Sequence, residues 1–215
     1  MSKPYRDLMF ITPQEDTSMI ISLVQSFLSG GGRWVQLRLK DICEDQLYET
    51  AMQLAQLCKQ FGAVFIVNDN PVIAKKVKAD GVHLGKNDMN PLKARDIVGD
   101  NMIVGGTANS VDDMVKLARE KVDYIGLGPC HFTTTKKNLS EIITPRGYKN
   151  LIEQFRVAGY TLPVTAIGGI TLNDISSLLK SGINGVALCT AISKSCDPAS
   201  ATGEIISLIE KSKSR

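Results

Sequence analysis

The chain has 215 residues, of which 43% are hydrophobic and 22% charged, a composition typical of a globular protein with a sizeable core and not of a disordered one. Its 25 basic and 22 acidic residues leave a formal net charge of +3, and no basic run indicates binding to nucleic acid. No apolar stretch reaches the roughly 20 residues of a membrane helix, and no secretory signal opens the chain. The five cysteines form no Cys-x-x-Cys pair, which argues against a disulfide framework and a structural zinc site and favours a reduced, cytoplasmic compartment.

Short apolar, β-branched runs alternate along the chain with longer segments of helical periodicity. The runs predict strands at Leu8–Thr12, Trp34–Leu39, Ala63–Asn68, Gly81–Leu84, Met102–Gly105, Tyr124–Leu127, Val164–Ile167 and Gly185–Leu188. The periodic segments predict helices near residues 15–29, 44–61, 71–78, 91–98, 110–120, 148–158, 172–181 and 197–212.

Eight strand–helix units whose strands are apolar on both faces indicate a parallel sheet covered by helices. A closed (β/α)₈ barrel needs roughly 200 residues or more, and this chain is long enough. An open doubly wound sheet is the alternative, but no Gly-x-Gly-x-x-Gly follows the first strand, where a dinucleotide fold places its phosphate loop. We therefore predict one α/β domain over residues 1–215, a (β/α)₈ TIM barrel.

The connection from Pro129 to Gly147 is too long and too polar for an ordinary turn between a strand and a helix. A flexible spacer would be richer in Gly and Ser. We therefore predict that residues 129–147 form a lid over the active face.

Polar side chains at the end of the second predicted strand are the first candidates for a site, because barrel enzymes react at the carboxyl ends of their strands. Gln36, Arg38 and Lys40 alternate and therefore share one face, which in a barrel can be the inner one. Cations buried there are costly unless they meet an anion. The alternative is that Arg38 and Lys40 simply reach solvent.

Two carboxylates follow the next two strands. Asn68 and Asp69 end the third predicted strand, and Asp88 comes after the fourth. Carboxylates at adjacent strand ends can share Mg²⁺, which proteins bind through one or two carboxylates together with substrate phosphate oxygens. The alternative is that each aspartate caps the helix that follows it. We interpret His83 as a packed, hydrogen-bonded strand residue rather than a general base.

Glycines and a short polar segment follow the last two predicted strands. Gly168–Gly169 and Cys189–Thr190 occupy the positions where this fold recurrently binds phosphate. Glycine lets the backbone approach a phosphate, and Cys189 would contribute its backbone N–H rather than a nucleophilic thiol. A tight turn is the alternative for the glycine pair. A pyrophosphate region near strands two to four and a monophosphate region near strands seven and eight together suit a transferase that joins two phosphorylated molecules.

Six segments of the chain, in register from about residue 8 to 195, resemble the thiamine-phosphate synthase family. They are QLRLK (Gln36–Lys40), VND (Val67–Asp69), DGVHLGKND (Asp80–Asp88), DYIGLGPCHFTTTK (Asp123–Lys136), AIGGI (Ala166–Ile170) and GVALCTAI (Gly185–Ile192). The resemblance implies a barrel that condenses 4-amino-2-methyl-5-(diphosphomethyl)pyrimidine with 4-methyl-5-(2-phosphoethyl)thiazole, using Mg²⁺. Its partners would be these small molecules, not nucleic acid or membrane, and the oligomeric state stays open.

The resemblance also implies roles for individual residues. Catalytic roles fall to Arg38, Lys40 and Lys136, and the metal to Asp69 and Asp88. Substrate contacts fall to Gln36, Arg38, Lys40, Asn68, Thr107, Thr133, Thr135, Lys136, Gly168, Gly169, Cys189 and Thr190. Three departures from the family pattern, at Asn70, Lys86 and Asn109, bear on fine substrate geometry.

Two other functions compete with the synthase. A thiazole tautomerase is a related barrel that uses an acid–base histidine, and a non-catalytic barrel could bind a phosphorylated metabolite as a sensor. Asn109 lies near where we would look for that histidine, and Lys40 and Asp88 are retained, which favours the synthase.

Since the thiazole nitrogen has its own lone pair, the reaction needs no protein base at the attacking atom. The electron-rich aminopyrimidine can share positive charge, which favours a dissociative displacement.

Overall fold

The computed structural model describes residues 6–132 and 141–214, which form a closed barrel of eight parallel strands in the order β1 to β8. The strands are β1 (Leu8–Ile11), β2 (Trp34–Leu37), β3 (Val64–Asn68), β4 (Gly81–Leu84), β5 (Ile103–Ala108), β6 (Tyr124–Leu127), β7 (Val164–Ala166) and β8 (Gly185–Leu188). The described helices are α1 (Thr17–Ser29), α2 (Glu44–Gln60), α3 (Pro71–Lys76), α4 (Pro91–Val98), α5 (Val111–Arg119), α6 (Pro145–Val157), α7 (Leu172–Lys180), α8 (Thr190–Ser193) and α9 (Pro198–Lys213). The predicted (β/α)₈ barrel is confirmed.

Apolar side chains fill both faces of the sheet, as the strand sequences predicted. The barrel interior is packed by Met9, Trp34, Val64, Ile66, Ile103, Tyr124 and Ala187. Trp34 and Tyr124 meet edge to face with their ring centroids 5.0 Å apart. The other face of each strand packs against the helices in a second apolar layer. Because apolar side chains fill the barrel interior, the polar residues at the carboxyl ends of the strands remain available for binding.

Strand β1 closes the barrel and places the two predicted anion regions side by side. It pairs with β2 through Phe10 and Val35 and with β8 through Phe10 and Leu188. The carboxyl ends of β2 and β8 are therefore separated by a single strand. The predicted pyrophosphate and monophosphate regions share one mouth.

Helix α6 begins earlier than the sequence prediction, at Pro145 rather than near residue 148. Proline suits the first helical turn, and the Thr144 hydroxyl accepts a hydrogen bond of 3.1 Å from the Gly147 amide. Residues 145–147 therefore belong to α6 and not to the connection, whose role as a lid stays a prediction. Helix α8 was not predicted, because four residues are too few to show a helical period.

Strand β5 runs to Ala108 although glycines weaken its strand pattern. A Cβ at Gly105 would lie 2.2 Å from the Tyr124 ring of the neighbouring strand. The glycine therefore makes room for the Tyr124 ring inside the barrel. All five cysteines are free, and no helix in the described ranges is long and apolar enough to cross a membrane.

Candidate active site

Gln36 and Asn68 hold each other at the ends of β2 and β3. Gln36 is 3% exposed and donates a hydrogen bond of 2.7 Å from Nε2 to Asn68 Oδ1. This pairing brings two predicted substrate-binding residues together across neighbouring strands. It also fixes the direction of both amides, which is what a polar ligand at the mouth would require.

Lys40 lies just past the end of β2, and the side chain of Gln14 holds its backbone in place. Its N–H donates to Gln14 Oε1 at 2.9 Å, and its carbonyl accepts from Gln14 Nε2 at 2.7 Å. Its ammonium group forms an ion pair with Asp69. The Lys40 ammonium group therefore meets an anion while its side chain stays 42% exposed to solvent, and the strand itself ends at Leu37.

The carboxyl groups of Asp69 and Asp88 lie together just past the ends of β3 and β4. Burial raises the pKa of Asp69 to about 6, a hydrogen bond with Asp88 adds to this, and Lys40 opposes it. Burial also raises the pKa of Asp88, but hydrogen bonds from Asp69 and from the Gly85 amide, the latter 2.7 Å from Oδ2, outweigh burial and lower it. Below about pH 6 a protonated Asp69 donates a hydrogen bond to the ionised Asp88, as expected for carboxyl groups held at one site.

Neither aspartate caps the following helix, so that alternative is wrong. Asn70 accepts from the Ile73 amide at the start of α3, and Asn90 accepts from the Leu92 amide at the start of α4, both at 2.9 Å. Asp69 also adopts a left-handed conformation with φ of 66°. Such a conformation is unfavourable for most side chains. Of its two neighbours, Asn68 bonds to Gln36 and Asn70 caps α3. The Asp69 carboxylate is needed for neither contact and remains available at the mouth of the barrel.

The donor set suits the Mg²⁺ that the family resemblance implies. Two carboxyl groups close enough to share a proton carry adjacent negative charges once both ionise. A hard divalent cation with oxygen ligands is the natural partner for such a pair. Asp69 and Asp88 are therefore the residues that would hold it.

The raised pKa of Asp69 predicts a pH dependence of stability in metal-free protein. Between about pH 4 and about pH 6 Asp69 keeps its proton in the folded protein but loses it in the unfolded chain. Ionised Asp69 therefore lowers the free energy of unfolding by its full amount above about pH 6, and this loss disappears as the pH falls to about 4. Asp88, with its lowered pKa, titrates below this window. We expect wild type to gain roughly 1–2 kcal/mol relative to Asp69→Asn as the pH falls from about 7 to about 4, after allowing for solvent at the open mouth.

Urea unfolding in EDTA at several pH values measures this difference. The exposed Asp96 on α4 provides the control substitution, Asp96→Asn. A constant difference between wild type and Asp69→Asn across the window would contradict the raised pKa.

His83 lies inside the barrel and joins two strands by hydrogen bonds. It is 5% exposed, and its ring nitrogens lie 2.9 Å from the Tyr124 hydroxyl and 2.9 Å from the Thr107 hydroxyl. The interpretation of His83 as a packed strand residue is confirmed. Thr107, predicted to contact substrate, is 6% exposed and is held by His83 at the floor of the mouth.

The three departures from the family pattern have structural roles in this chain. Asn70 caps α3. Lys86 forms an ion pair of 2.7 Å with Asp113 at the start of α5. The Asn109 side chain donates to the Gly128 carbonyl and so ties β5 to β6. Each departure is therefore accounted for by a contact within the fold.

The end of β8 brings Cys189 near the cation of Arg38. Burial raises the pKa of the Cys189 thiol, while the Ser193 hydroxyl and the charges of Arg38 and Lys194 oppose the rise. A thiol with a raised pKa stays protonated at neutral pH and is a poor nucleophile. The prediction that Cys189 does not act as a nucleophile agrees with this environment. Thr190 follows as the first residue of α8 and is exposed.

Gly168 and Gly169 are glycines because of their conformation and their neighbours. Their φ angles are 85° and 71°, and a Cβ on either would lie within 3 Å of Pro129 or His131. The Gly168 carbonyl accepts hydrogen bonds from the amides of Cys130 at 2.9 Å and His131 at 3.1 Å. The glycine pair therefore binds the start of the β6–α6 connection and also forms the β7 side of the mouth.

The predicted contacts of Thr133, Thr135 and Lys136 lie outside the described residues. The ends of their connection are anchored, with the Ile143 amide donating to the Pro129 carbonyl at 2.8 Å and His131 Nε2 lying 2.9 Å from Asp174 Oδ2. Sequence reasoning missed Gln14, His131 and Asp174. Their partners are 26 to 43 residues away, so no local pattern could have revealed them.

Comparison with known proteins finds one matching sequence family and relatives that span nearly the whole chain. The sequence family described as thiamine monophosphate synthase matches residues 8–192. The thiamine-phosphate synthase of Phocaeicola vulgatus is 46% identical over 202 residues, covering 94% of this chain and 97% of the relative. That of Bacteroides thetaiotaomicron is 43% identical over 201 residues, covering 94% and 96%.

Solved structures agree. Thiamine phosphate pyrophosphorylase from Pyrococcus furiosus superposes with a TM-score of 0.83 at 29% identity and 96% coverage of both chains. A 3-hexulose-6-phosphate synthase shares the fold alone, with a TM-score of 0.70 at 15% identity over 95% of this chain and all of the other. Because the family match and the relatives span nearly the whole sequence, the chain belongs to the thiamine monophosphate synthase family.

Proposed function

We propose that the barrel mouth joins the pyrimidine pyrophosphate to the thiazole phosphate, forming thiamine phosphate and releasing pyrophosphate with the help of Mg²⁺. The observation that carries this proposal is the cluster of Lys40, Asp69 and Asp88 at the ends of β2 to β4. A lysine cation beside two neighbouring carboxyl groups suits the binding of pyrophosphate together with a metal ion. The free cysteines also support a reduced, cytoplasmic setting.

When bound by Asp69 and Asp88, Mg²⁺ would neutralise charge on the pyrophosphate. Lys40 and Arg38 lie at the same mouth and would stabilise the negative charge that grows on the leaving group. The coupled amides of Gln36 and Asn68 would orient the polar edge of the pyrimidine. None of these residues acts as a base on the thiazole, whose nitrogen attacks with its own lone pair.

The thiazole phosphate would bind at the ends of β7 and β8, beside Gly168, Gly169, Cys189 and Thr190. Closure of the barrel through β1 sets this region next to β2. Fixing the phosphate there would hold the thiazole nitrogen in line with the pyrimidine methylene carbon. Remote phosphate binding would thus be used for alignment.

Lys136→Ala is expected to reduce the rate of bond cleavage about 10²–10³-fold, because its charge would matter most as the pyrophosphate departs. The dissociation constant of the thiazole phosphate should change little, since that substrate binds elsewhere. Single-turnover kinetics separates the two quantities. Lys137→Ala is the matched control at the neighbouring lysine, and an unchanged cleavage rate in Lys136→Ala would remove Lys136 from the chemistry.

Incubation of the protein with both phosphorylated substrates and Mg²⁺ tests the proposed function. Thiamine phosphate and pyrophosphate should appear in equal amounts. A tautomerase would instead interconvert forms of the thiazole phosphate without consuming the pyrimidine, and a sensor would bind one substrate and form no product.

A further inference from the structure

A second group of metal-binding side chains lies away from the Asp69–Asp88 pair, where the β6–α6 connection meets α7. Cys130 Sγ, a ring nitrogen of His131 and a carboxylate oxygen of Asp174 all lie within 4.8 Å of one another. We propose that these three residues bind a borderline-soft divalent cation of the zinc type, with a fourth position open to solvent.

The ligand types select this class of cation. Thiolate, imidazole and carboxylate together are typical of Zn²⁺ or Co²⁺, whereas Mg²⁺ prefers oxygen ligands alone. Bond lengths of about 2.0–2.3 Å place the ligand atoms of tetrahedral zinc roughly 3.4–3.6 Å apart. The present spacing of 2.9 Å between His131 Nε2 and Asp174 Oδ2 needs to open by only about half an ångström to admit the ion.

Surrounding hydrogen bonds already hold the ligands in place. The Thr171 amide and hydroxyl donate to Asp174 Oδ2 at 2.8 and 2.6 Å, so the carboxylate is oriented by two donors. The amides of Cys130 and His131 both donate to the Gly168 carbonyl. Outer contacts of this kind fix ligand direction in metal sites and reduce the ordering that binding would otherwise require.

The site is reachable from solvent, and binding releases one proton. Cys130 is 2% exposed, while the His131 side chain is 49% exposed and opens the cluster to solvent. On binding, the Cys130 S–H bond gives its proton to buffer and the sulfur electron pair binds the cation. His131 keeps one proton on Nδ1 and binds through Nε2, and the Asp174 carboxylate is already ionised. No electron is transferred.

The sequence argues against a structural zinc site because it contains no Cys-x-x-Cys pair. His131 and Asp174 are 43 residues apart, so no local spacing links them as ligands. The barrel closes this distance by packing the start of the β6–α6 connection on the β7 loop. A cation held there would tie that connection to α7 by three coordinate bonds. We therefore expect the folded protein to be stabilised by the ion as well as to bind it.

Titration of the reduced protein with Co²⁺ tests the proposal by a spectroscopic readout that does not depend on catalysis. Wild type should develop a thiolate-to-cobalt charge-transfer band that saturates at one equivalent, disappears when Zn²⁺ is added and is accompanied by a higher melting temperature. Cys130→Ser, which keeps the side-chain shape, should lose the band. His131→Gln, at an exposed position, should weaken Co²⁺ binding at least about tenfold.

Cys196→Ser, at an exposed cysteine, is the matched control and should keep the band. Cobalt bound at Asp69 and Asp88 gives no thiolate band, so failure of this proposal and failure of the proposed function are distinguishable. Absence of a thiolate band in reduced wild type, or a band that persists in Cys130→Ser, would overturn the site. Unchanged Co²⁺ affinity in His131→Gln would do the same if Cys130→Ser failed to fold.

Discussion

Asp88→Ala is expected to lower turnover about 10²–10³-fold and to raise the Mg²⁺ concentration needed for half the maximal rate, with the barrel still folded. The Asp88 carboxyl lies beside Asp69 and accepts from the Gly85 amide, so its removal leaves Asp69 as the only acidic group of the pair. A single carboxylate beside Lys40 is a weak site for a divalent cation, because the ammonium group competes for it. Steady-state rates measured over a range of Mg²⁺ concentrations give both quantities.

Asp96→Ala serves as the control, since Asp96 is an exposed carboxylate on the adjoining helix α4. It should keep wild-type turnover and the wild-type requirement for Mg²⁺. An Asp88→Ala protein with normal circular dichroism and normal turnover would show that the carboxylate pair takes no part in the reaction.

Lys40→Ala is expected to lower turnover about 10²-fold for two separate reasons. It removes a cation that would face the departing pyrophosphate, and it leaves the partly buried Asp69 without its ion-pair partner. Because Lys40 opposes the rise in the pKa of Asp69, its loss should raise that pKa further. Activity should therefore fall most steeply at the acidic end of the pH profile.

The Lys40→Ala substitution should weaken the binding of one substrate only. The KM for the pyrimidine pyrophosphate should rise together with the loss in kcat, while the KM for the thiazole phosphate stays near that of wild type. Lys93→Ala, at an exposed lysine of α4, is the control. Equal losses of affinity for both substrates would assign Lys40 a general role in holding the mouth together instead.

Most of the fold could be predicted from the sequence because each strand–helix unit carries a local signal. The strand bounds at β4, β6 and β8 match the predicted ones to the residue, since apolar β-branched runs there end sharply. Helix α6 begins earlier than its apolar periodicity predicts, because the Thr144 cap and Pro145 lie in a polar segment typical of a loop. Helix α8 is shorter than one period of the pattern that predicts helices.

The site was predictable only in part. Position at strand ends was enough to bring Gln36, Asn68, Asp69 and Asp88 together, since neighbouring parallel strands end on one face. Pairwise contacts were not predictable, because they depend on register and side-chain direction. The hydrogen bond between the Gln14 side chain and the Lys40 backbone and that between His83 and Thr107 are two examples.

Formation of thiamine phosphate by protein freed of metal with EDTA, before and after Mg²⁺ is restored, tests the central claim most directly. The arrangement of Asp69, Asp88 and Lys40 predicts that product and pyrophosphate are nearly absent without the cation and that both return together when Mg²⁺ is added. Full-rate formation of thiamine phosphate in EDTA would contradict it.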